Sequence, residues 1–252
     1  MSRAKKNGRK ESYVRAGRRV KIEPEELIVY EDNHLLLVNK PVGMLSQGDK
    51  SGDPSLISEF SAFIKERDQK KGAVWLAPVH RLDRMVGGLI ILAKSSKGAA
   101  RLSREIREQR LVKRYYAVCH GKTAQRGEWT DYLSREKTAG KYRIVNSNGR
   151  EASLKFERLA YLAAEDISLL SIELITGRPH QIRLQCAAHN FPLSGDQRYG
   201  NPALDKQIKL SSKLSAPALF AYQLGFKHPT KDCCLSIKLD LPSDGIFGKF
   251  KL

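Results

Sequence analysis

The sequence of 252 residues predicts an α+β fold built on a mixed, largely antiparallel β-sheet. Segments with the alternation of β-strands outnumber helical segments, and polar turns of the hairpin type join most of them. The hydrophobic content of 41% is ordinary for a globular protein of this length. We therefore expect one folded domain over residues 23–252.

The chain is strongly basic, with a net charge of +18. An excess of this size favours an anionic partner, either nucleic acid or a membrane surface. Residues 1–22 are rich in Lys and Arg and poor in apolar residues, which predicts a disordered basic arm. We expect this arm to touch the partner; the alternative is a solubilising tail.

The first half of the folded domain begins with a hairpin. Two apolar runs surround a polar turn between Ile28 and Pro41, and the proline ends the second strand. Helical spacing of apolar residues predicts a helix over 55–66 and another that Ser96 caps and that runs to about Gln109. Between these helices we expect a loop from Pro78 to Arg84 and then a strand over 88–94.

The second half of the domain is dominated by strands. In chain order we expect a strand over Val112–His120, a hairpin with polar loops within 121–150, strands over 152–157 and Ile167–Leu174, a helix from Pro179 to about Ala188, and strands near 218–226 and 235–241.

The four cysteines, Cys119, Cys186, Cys233 and Cys234, form no C-x-x-C pair, so we expect no zinc site and no disulfide framework. We interpret them as reduced thiols that serve as small apolar residues in a cytoplasmic protein. No apolar stretch of about 18 residues is present, so we expect no membrane span.

An aspartate with an unusual setting is Asp83, which lies in the segment HRLDR before the apolar run GGLIILAK. A buried carboxylate is costly unless it is paired, so Asp83 is either part of a structural ion pair or a catalytic acid held ionised by cations. We expect its partner to be Arg183, from the distant segment TGRPHQIRL, because a planar guanidinium matches a carboxylate. Spacing alone favours the structural bridge.

Together, these segments resemble the RluA-type family of RNA pseudouridine synthases. The resemblance begins at LVNKP, continues through HRLDR, GLIILAK and the K-x-Y of Lys113-Arg114-Tyr115, and ends with TGRPHQIRLQCAAHNFPLSGDQRYG. It covers roughly residues 26–242. The family fold that it implies has a central active-site cleft in a mixed sheet with flanking helices.

The resemblance also implies an activity, the conversion of specific uridines in ribosomal or transfer RNA to pseudouridine without a cofactor. Asp83 is then the catalytic aspartate, acting by covalent attack on the nucleoside or by removal of a ribose proton. Tyr115 stacks on the base and Arg183 pairs with Asp83. Residues expected to bind the substrate are Arg81, Leu184 as an apolar wall for the base, Arg84, Lys40 and Arg178.

The sequence departs from the family pattern at two places. Pro179 stands where threonine is more usual, a mild change that is compatible with a helix start, and Met85-Val86-Gly87 stands where the family has a small polar pair before glycine. Only the second departure favours an alternative. The alternative is an inactive RNA-binding or ribosome-assembly protein on the same fold. A carboxylate-dependent nuclease is a weaker alternative, because it needs clustered acidic residues for metal ions. We expect no metal and a monomer.

Overall fold

The computed structural model describes the backbone of residues 12–15 and 18–21, and residues 23–136, 141–208 and 214–251 in full. The strands are β1 (Ser12–Arg15), β2 (Arg18–Lys21), β3 (Ile28–Glu31), β4 (Leu35–Lys40), β5 (Ala77–Pro78), β6 (Gly87–Ala93), β7 (Val112–His120), β8 (Arg126–Arg135), β9 (Tyr142–Ile144), β10 (Arg150–Leu162), β11 (Ile167–Leu174), β12 (Leu219–Lys227) and β13 (Cys234–Lys238). The helices are α1 (Leu56–Arg67), α2 (Ser96–Arg107), α3 (Gln181–Ala188) and α4 (Pro202–Asp205), with 3₁₀ turns at Pro24–Leu27 and Phe247–Lys249.

Eleven of these strands form one mixed sheet in the order β3-β4-β6-β12-β7-β11-β10-β8-β9, with β13 added to β12 and β5 added to β6. The pairing of β6 with β12 is parallel, and every other pairing is antiparallel. The predicted α+β fold with a mixed, mostly antiparallel sheet is confirmed.

The two faces of the sheet are covered by different elements. On one face, Phe60 of α1 and Ile182 of α3 join the same buried cluster as Tyr115 of β7. On the other face, Tyr116 stacks on Tyr222 with ring centroids 3.8 Å apart, and both belong to a separate cluster. Adjacent strand residues point to opposite faces, so the alternation of β7 decides which tyrosine reaches the cleft described below.

The parallel contact between β6 and β12 depends on a glycine. Gly88 has a φ of +112°, and a Cβ atom there would lie 2.2 Å from the carbonyl oxygen of Ala221. Only glycine combines this backbone conformation with so close an approach. Gly88, at the start of β6 just after the Asp83 loop, therefore allows the backbones of β6 and β12 to approach closely.

Most predicted elements are confirmed, and a few boundaries are wrong. Strands Val112–His120 and Ile167–Leu174 are as predicted. The cap of α2 is Ser95, whose side chain accepts from the N–H of Gly98, and not Ser96. Helix α3 begins at Gln181, after Pro179.

The predicted basic arm contains regular structure. Strands β1 and β2 form an antiparallel hairpin of their own within residues 1–22. The rest of the predicted arm lies outside the described residues.

Candidate active site

A cleft of about 520 Å³ opens on the face of the sheet that carries Tyr115. It is formed by the loop 79–86 between β5 and β6, by residues 45–49, by Lys113 and Tyr115 of β7, and by residues 177–183 at the start of α3. Parts of the chain that are far apart in the sequence thus meet around Asp83. The cleft combines apolar walls with cations, which suits a ligand that has both a flat ring and charged groups.

Backbone and side-chain hydrogen bonds fix the Asp83 loop. The hydroxyl of Ser46 donates to the carbonyl of Leu82 at 2.8 Å and accepts from its N–H at 3.1 Å. The N–H of Gly43 donates to the carbonyl of Arg84, and the N–H of Val86 donates to that of Asp83. Both sides of Asp83 are therefore fixed.

Lys40 is part of this support, and its predicted role in substrate binding is wrong. Its side chain is fully buried, and its Nζ donates to the carbonyls of Pro41, Met44 and Arg84 at 2.8 to 3.1 Å. Burial lowers the pKa of Lys40 to about 7, although the charge of Asp83 opposes the shift. A lysine enclosed in this way cannot reach RNA, but it can hold the loop.

The loop is well packed although Met85 and Val86 are apolar. Val86 is 2% exposed and belongs to the main buried cluster. Packing of Val86, together with the hydrogen bonds from Ser46 and Lys40, fixes the loop in place of polar side chains at 85 and 86.

The predicted pairing of Asp83 with Arg183 is present. Nη1 of Arg183 lies 3.0 Å from Oδ2 of Asp83, while its Nε and Nη2 bind the two oxygens of Asp196 at 2.7 and 2.8 Å. Burial alone would raise the pKa of Asp196, but hydrogen bonds from Arg183 and from the N–H groups of Arg198 and Tyr199 outweigh it and lower that pKa. Asp196 therefore fixes the guanidinium that in turn holds Asp83.

His180 and its neighbour Tyr199 were not among the predicted site residues, although both lie close to the Asp83–Arg183 pair. His180 has a left-handed backbone, with a φ of +56°, and its Nε2 lies 3.8 Å from Oδ2 of Asp83. Its Nδ1 is 2.9 Å from the hydroxyl of Tyr199. Both residues belong to the segment that carries the resemblance, so the segment, although not the geometry, was visible in the sequence.

Tyr115 lies in the wall of the cleft, 6% exposed. Burial and the nearby charge of Asp83 raise its pKa, so the phenol stays protonated at neutral pH. Lys113, two residues earlier, also lines the cleft, and burial together with the charge of Arg178 lowers its pKa. His80 lines the cleft too, and burial with the charge of Lys113 lowers its pKa to about 3, which keeps it neutral.

All three arginines that were expected to bind substrate line the cleft. Arg81 is exposed, Arg84 binds Asp53 at 2.7 Å, and Arg178 donates from Nε to the carbonyl of Glu151 at 2.7 Å. Leu184 is different, because it packs with Leu133 and Ala152 and is not among the described residues that line the cleft. The apolar wall is formed instead by residues such as Val79, Leu82, Leu174, Ile182 and Leu219.

Cys119 and Cys186 are buried as expected, whereas Cys233 and Cys234 are exposed, so the prediction of apolar packing is wrong for that pair. All four are free thiols. Among the described residues, no group of His, Cys, Asp and Glu could hold a metal ion. None of the helices in the described ranges combines the length and apolarity that a membrane crossing requires.

Comparison with known proteins places the chain in a family. The family model described as RNA pseudouridylate synthase matches residues 34–188. The chain is 31% identical over 218 residues to the uncharacterized RNA pseudouridine synthase YhcT of Bacillus subtilis, covering 86% of this chain and 69% of that protein. It is 34% identical over 206 residues to ribosomal large subunit pseudouridine synthase C of Buchnera aphidicola, covering 80% and 63%. It is 30% identical over 232 residues to ribosomal large subunit pseudouridine synthase D of Yersinia pestis, covering 88% and 70%.

Solved structures agree on the fold. Human RNA pseudouridylate synthase domain containing 4 superimposes with a TM-score of 0.70 at 23% identity, covering 87% of this chain and 90% of that one. Human RNA pseudouridylate synthase domain containing 1 gives a TM-score of 0.66 at 22% identity, covering 84% and 82%. The expected pseudouridine synthase fold is thereby confirmed. The chain belongs to the RNA pseudouridylate synthase family, whose members isomerise uridine to pseudouridine in RNA.

Proposed function

We propose that this chain converts uridines of large-subunit ribosomal RNA to pseudouridine, with Asp83 as the catalytic aspartate. The observation that carries the proposal is the position of Asp83 in the cleft, partly exposed and bound by the buried Arg183. A carboxylate that only stabilises the fold need not face a cavity, whereas a carboxylate that reacts must be accessible to the substrate.

Asp83 has two routes to the product, and both conserve atoms and charge. In one, a carboxylate oxygen attacks C1′ of the ribose, and the C1′–N1 electron pair leaves with uracil. In the other, the carboxylate removes the C2′ proton while the same bond breaks, and later returns that proton. In both routes C5 of the turned uracil then bonds to C1′. In the first route this step breaks the C1′–O bond and regenerates the Asp83 carboxylate, and in the second the electron pair of the C1′=C2′ double bond takes back the proton at C2′. Finally C5 loses its hydrogen, and N1 gains one.

We assign Tyr115 to the uracil base and the arginines of the cleft to the phosphate backbone of the RNA. Tyr115 is assigned to stacking on the uracil, and Val79 and Leu219 to an apolar wall, because all three line the cleft. The target must leave its stack to enter the cleft, which costs a few kcal/mol. We assign Arg81 to the phosphates or to the space that the flipped base leaves, because it is exposed at the cleft. Arg178 and Arg84 are the other candidates for phosphate binding.

The proposal also includes the class of RNA, the cellular compartment and the oligomeric state. Two relatives are named as ribosomal large subunit pseudouridine synthases, which supports large-subunit RNA over transfer RNA. Four free thiols, two of them exposed, suit the reducing cytoplasm. We propose that the chain acts there as a monomer and without a metal. It needs no redox cofactor, because the isomerisation involves no net oxidation or reduction.

The test of the substrate class is tritium release from RNA labelled at C5 of uridine. The RNA is taken from cells lacking this gene and separated into large-subunit ribosomal, small-subunit ribosomal and transfer RNA fractions. We expect the protein to release tritium from the large-subunit fraction. Release from transfer RNA alone would contradict the proposed substrate, and binding of ribosomal RNA without release from any fraction would support the inactive RNA-binding alternative.

A further inference from the structure

The side chain of His180 is held so that its direction and its proton are defined. Its Nδ1 lies 2.9 Å from the hydroxyl of Tyr199, and that hydroxyl accepts from the N–H of Tyr142 at 3.2 Å. The Tyr142 and Tyr199 rings also contact the imidazole edge-on, with centroids 5.8 and 5.6 Å away. The ring therefore has one orientation, with Nε2 directed at Asp83.

The surroundings select one tautomer of this imidazole. The hydroxyl of Tyr199 has a single hydrogen, and donation to Nδ1 uses it while the oxygen accepts from Tyr142. Nδ1 is then an acceptor, so the proton of the neutral ring is on Nε2. The opposite tautomer would turn a nitrogen lone pair towards the Asp83 carboxylate and leave the Tyr199 hydrogen without this acceptor.

The groups around His180 also favour its neutral form. Burial lowers its pKa, the carboxylates of Asp83 and Asp196 oppose this, and the guanidiniums of Arg183 and Arg198 add to it. The net pKa is lowered from its ordinary value of 6.5, so His180 is neutral at pH 7.

The guanidinium of Arg183 and the neutral imidazole of His180 approach the same oxygen of Asp83. Arg183 Nη1 lies 3.0 Å and His180 Nε2 lies 3.8 Å from Oδ2. Within the described ranges, no residue donates a hydrogen bond to Oδ1. The distance from His180 is longer than a hydrogen bond, but catalytic hydrogen bonds often shorten when the substrate binds.

We propose that His180 is a positioning residue, which acts with Arg183 to hold Oδ2 of Asp83 and so leaves Oδ1 as the oxygen that reacts. Tyr199 keeps the His180 proton on Nε2 for this purpose. The inference rests on the proposed function, in which Asp83 is catalytic. In either route the lone pair of Oδ1 makes the new bond, to C1′ or to the C2′ hydrogen, while the C1′–N1 pair leaves with uracil.

The experiment compares His180→Gln with His180→Asn in single-turnover tritium release at saturating protein. The amide nitrogen of Gln reaches the position of Nε2 and can donate to Asp83, whereas that of Asn reaches only the position of Nδ1. We expect His180→Asn to lower the rate about 10- to 100-fold and His180→Gln to restore most of it, with RNA affinity unchanged in both. The matched control is His189→Asn, since His189 stacks on Trp129 away from the cleft and should keep the wild-type rate.

Tyr199→Phe supplies a readout that a merely structural role would not give. In the wild type we expect this change to slow the reaction, because without the Tyr199 hydroxyl the proton of His180 is no longer kept on Nε2. In the His180→Gln protein it should have little further effect, because no tautomer remains to be fixed. Thermal unfolding of each variant separates this pattern from a loss of fold.

Failure of this inference can be told apart from failure of the proposed function. Full activity of His180→Asn, with Asp83→Asn inactive, would overturn only the role of His180. So would equal effects of Tyr199→Phe in the two backgrounds. Activity of Asp83→Asn would overturn both.

Discussion

Arg183 links the position of Asp83 in the cleft to the buried carboxylate of Asp196. Its guanidinium binds both oxygens of the fully buried Asp196 and still has one nitrogen for Asp83. Lysine has a single charged nitrogen and could not hold two carboxylates in this fork geometry. At this scale, one planar cation sets the position of the group to which we assign the chemistry.

Replacement of Arg183 by Leu tests this link. The change leaves Asp196 buried without its partner, and breaking a buried pair from one side costs about 3–5 kcal/mol. We expect a loss of this size in the free energy of unfolding, measured by urea denaturation. Arg126→Leu removes a pair with Glu157 that is largely exposed and should change the stability by less than about 1 kcal/mol. Similar losses in the two variants would contradict the assigned importance of Arg183.

At the residue scale, sequence reasoning identified partners better than orientations. The Asp83–Arg183 pair followed from two distant segments, and the structure contains it. The resemblance implied that Leu184 forms a wall for the nucleobase, but successive helix residues are turned by about 100°, and Leu184 packs with Leu133 and Ala152 instead. Lys40 was expected to bind the substrate, and nothing local in the sequence showed that three carbonyls enclose its ammonium group.

At the scale of elements, the Asp83 loop is positioned by the strand that follows it. Strand β6 is buried along its whole length and pairs with β4, β5 and β12. Its first residues, Gly87 and Gly88, bring the end of the loop against the neighbouring backbone. The sequence predicted this strand and the loop before it from the apolar run, but it could not give the parallel pairing, because β12 lies far away in the chain.

Gly88→Ala tests the dependence of this element on glycine. The new Cβ would meet the backbone of Ala221, and alanine would also be strained at a φ of +112°. We expect the variant to lose about 3 kcal/mol or more of stability, seen as a lower midpoint of thermal unfolding. Gly72→Ala is the matched control, because nothing lies within 4 Å of its added Cβ, and it should unfold like the wild type. A Gly88→Ala protein as stable as this control would show that β6 and β12 can separate freely.

At the scale of the whole molecule, charge and topology act together. The sheet order brings residues 45–49, 79–86, 113–115 and 177–183 to one cleft. The sequence predicted the fold class and the anionic partner, since hydrophobic alternation and net charge depend on composition and local pattern. Local pattern and composition could not show which distant segments meet in the cleft, and only the resemblance to a family indicated it.

A cluster of charges away from the cleft gives a pH-dependent prediction for the whole fold. Glu31 accepts hydrogen bonds from Arg67 at 2.7 and 2.8 Å and from Lys94 at 2.7 Å, and these bonds lower its pKa from 4.5 to about 2. The unfolded chain therefore binds more protons between these pH values. The stabilisation is fully present above pH 4.5 and is lost as the pH falls towards 2.

We expect Glu31→Gln to cost about 1–2 kcal/mol at pH 7, since Arg67 is partly exposed and solvent weakens its pairing. The difference from the wild type should shrink at pH 3, as measured by thermal unfolding at both values. A difference that stays constant from pH 7 to pH 3 would show that the ionised carboxylate does not contribute.

The most direct test of the central claim is the activity of Asp83→Asn. The substitution keeps the shape of the side chain and removes its charge, so the oxygen can no longer attack the ribose or take its proton. We predict no tritium release from C5-labelled ribosomal RNA, with RNA binding as in the wild type. Asp68→Asn, an exposed aspartate paired with Arg67, should react like the wild type. Release by Asp83→Asn at a rate near that of the wild type would contradict the claim that Asp83 is the catalytic aspartate.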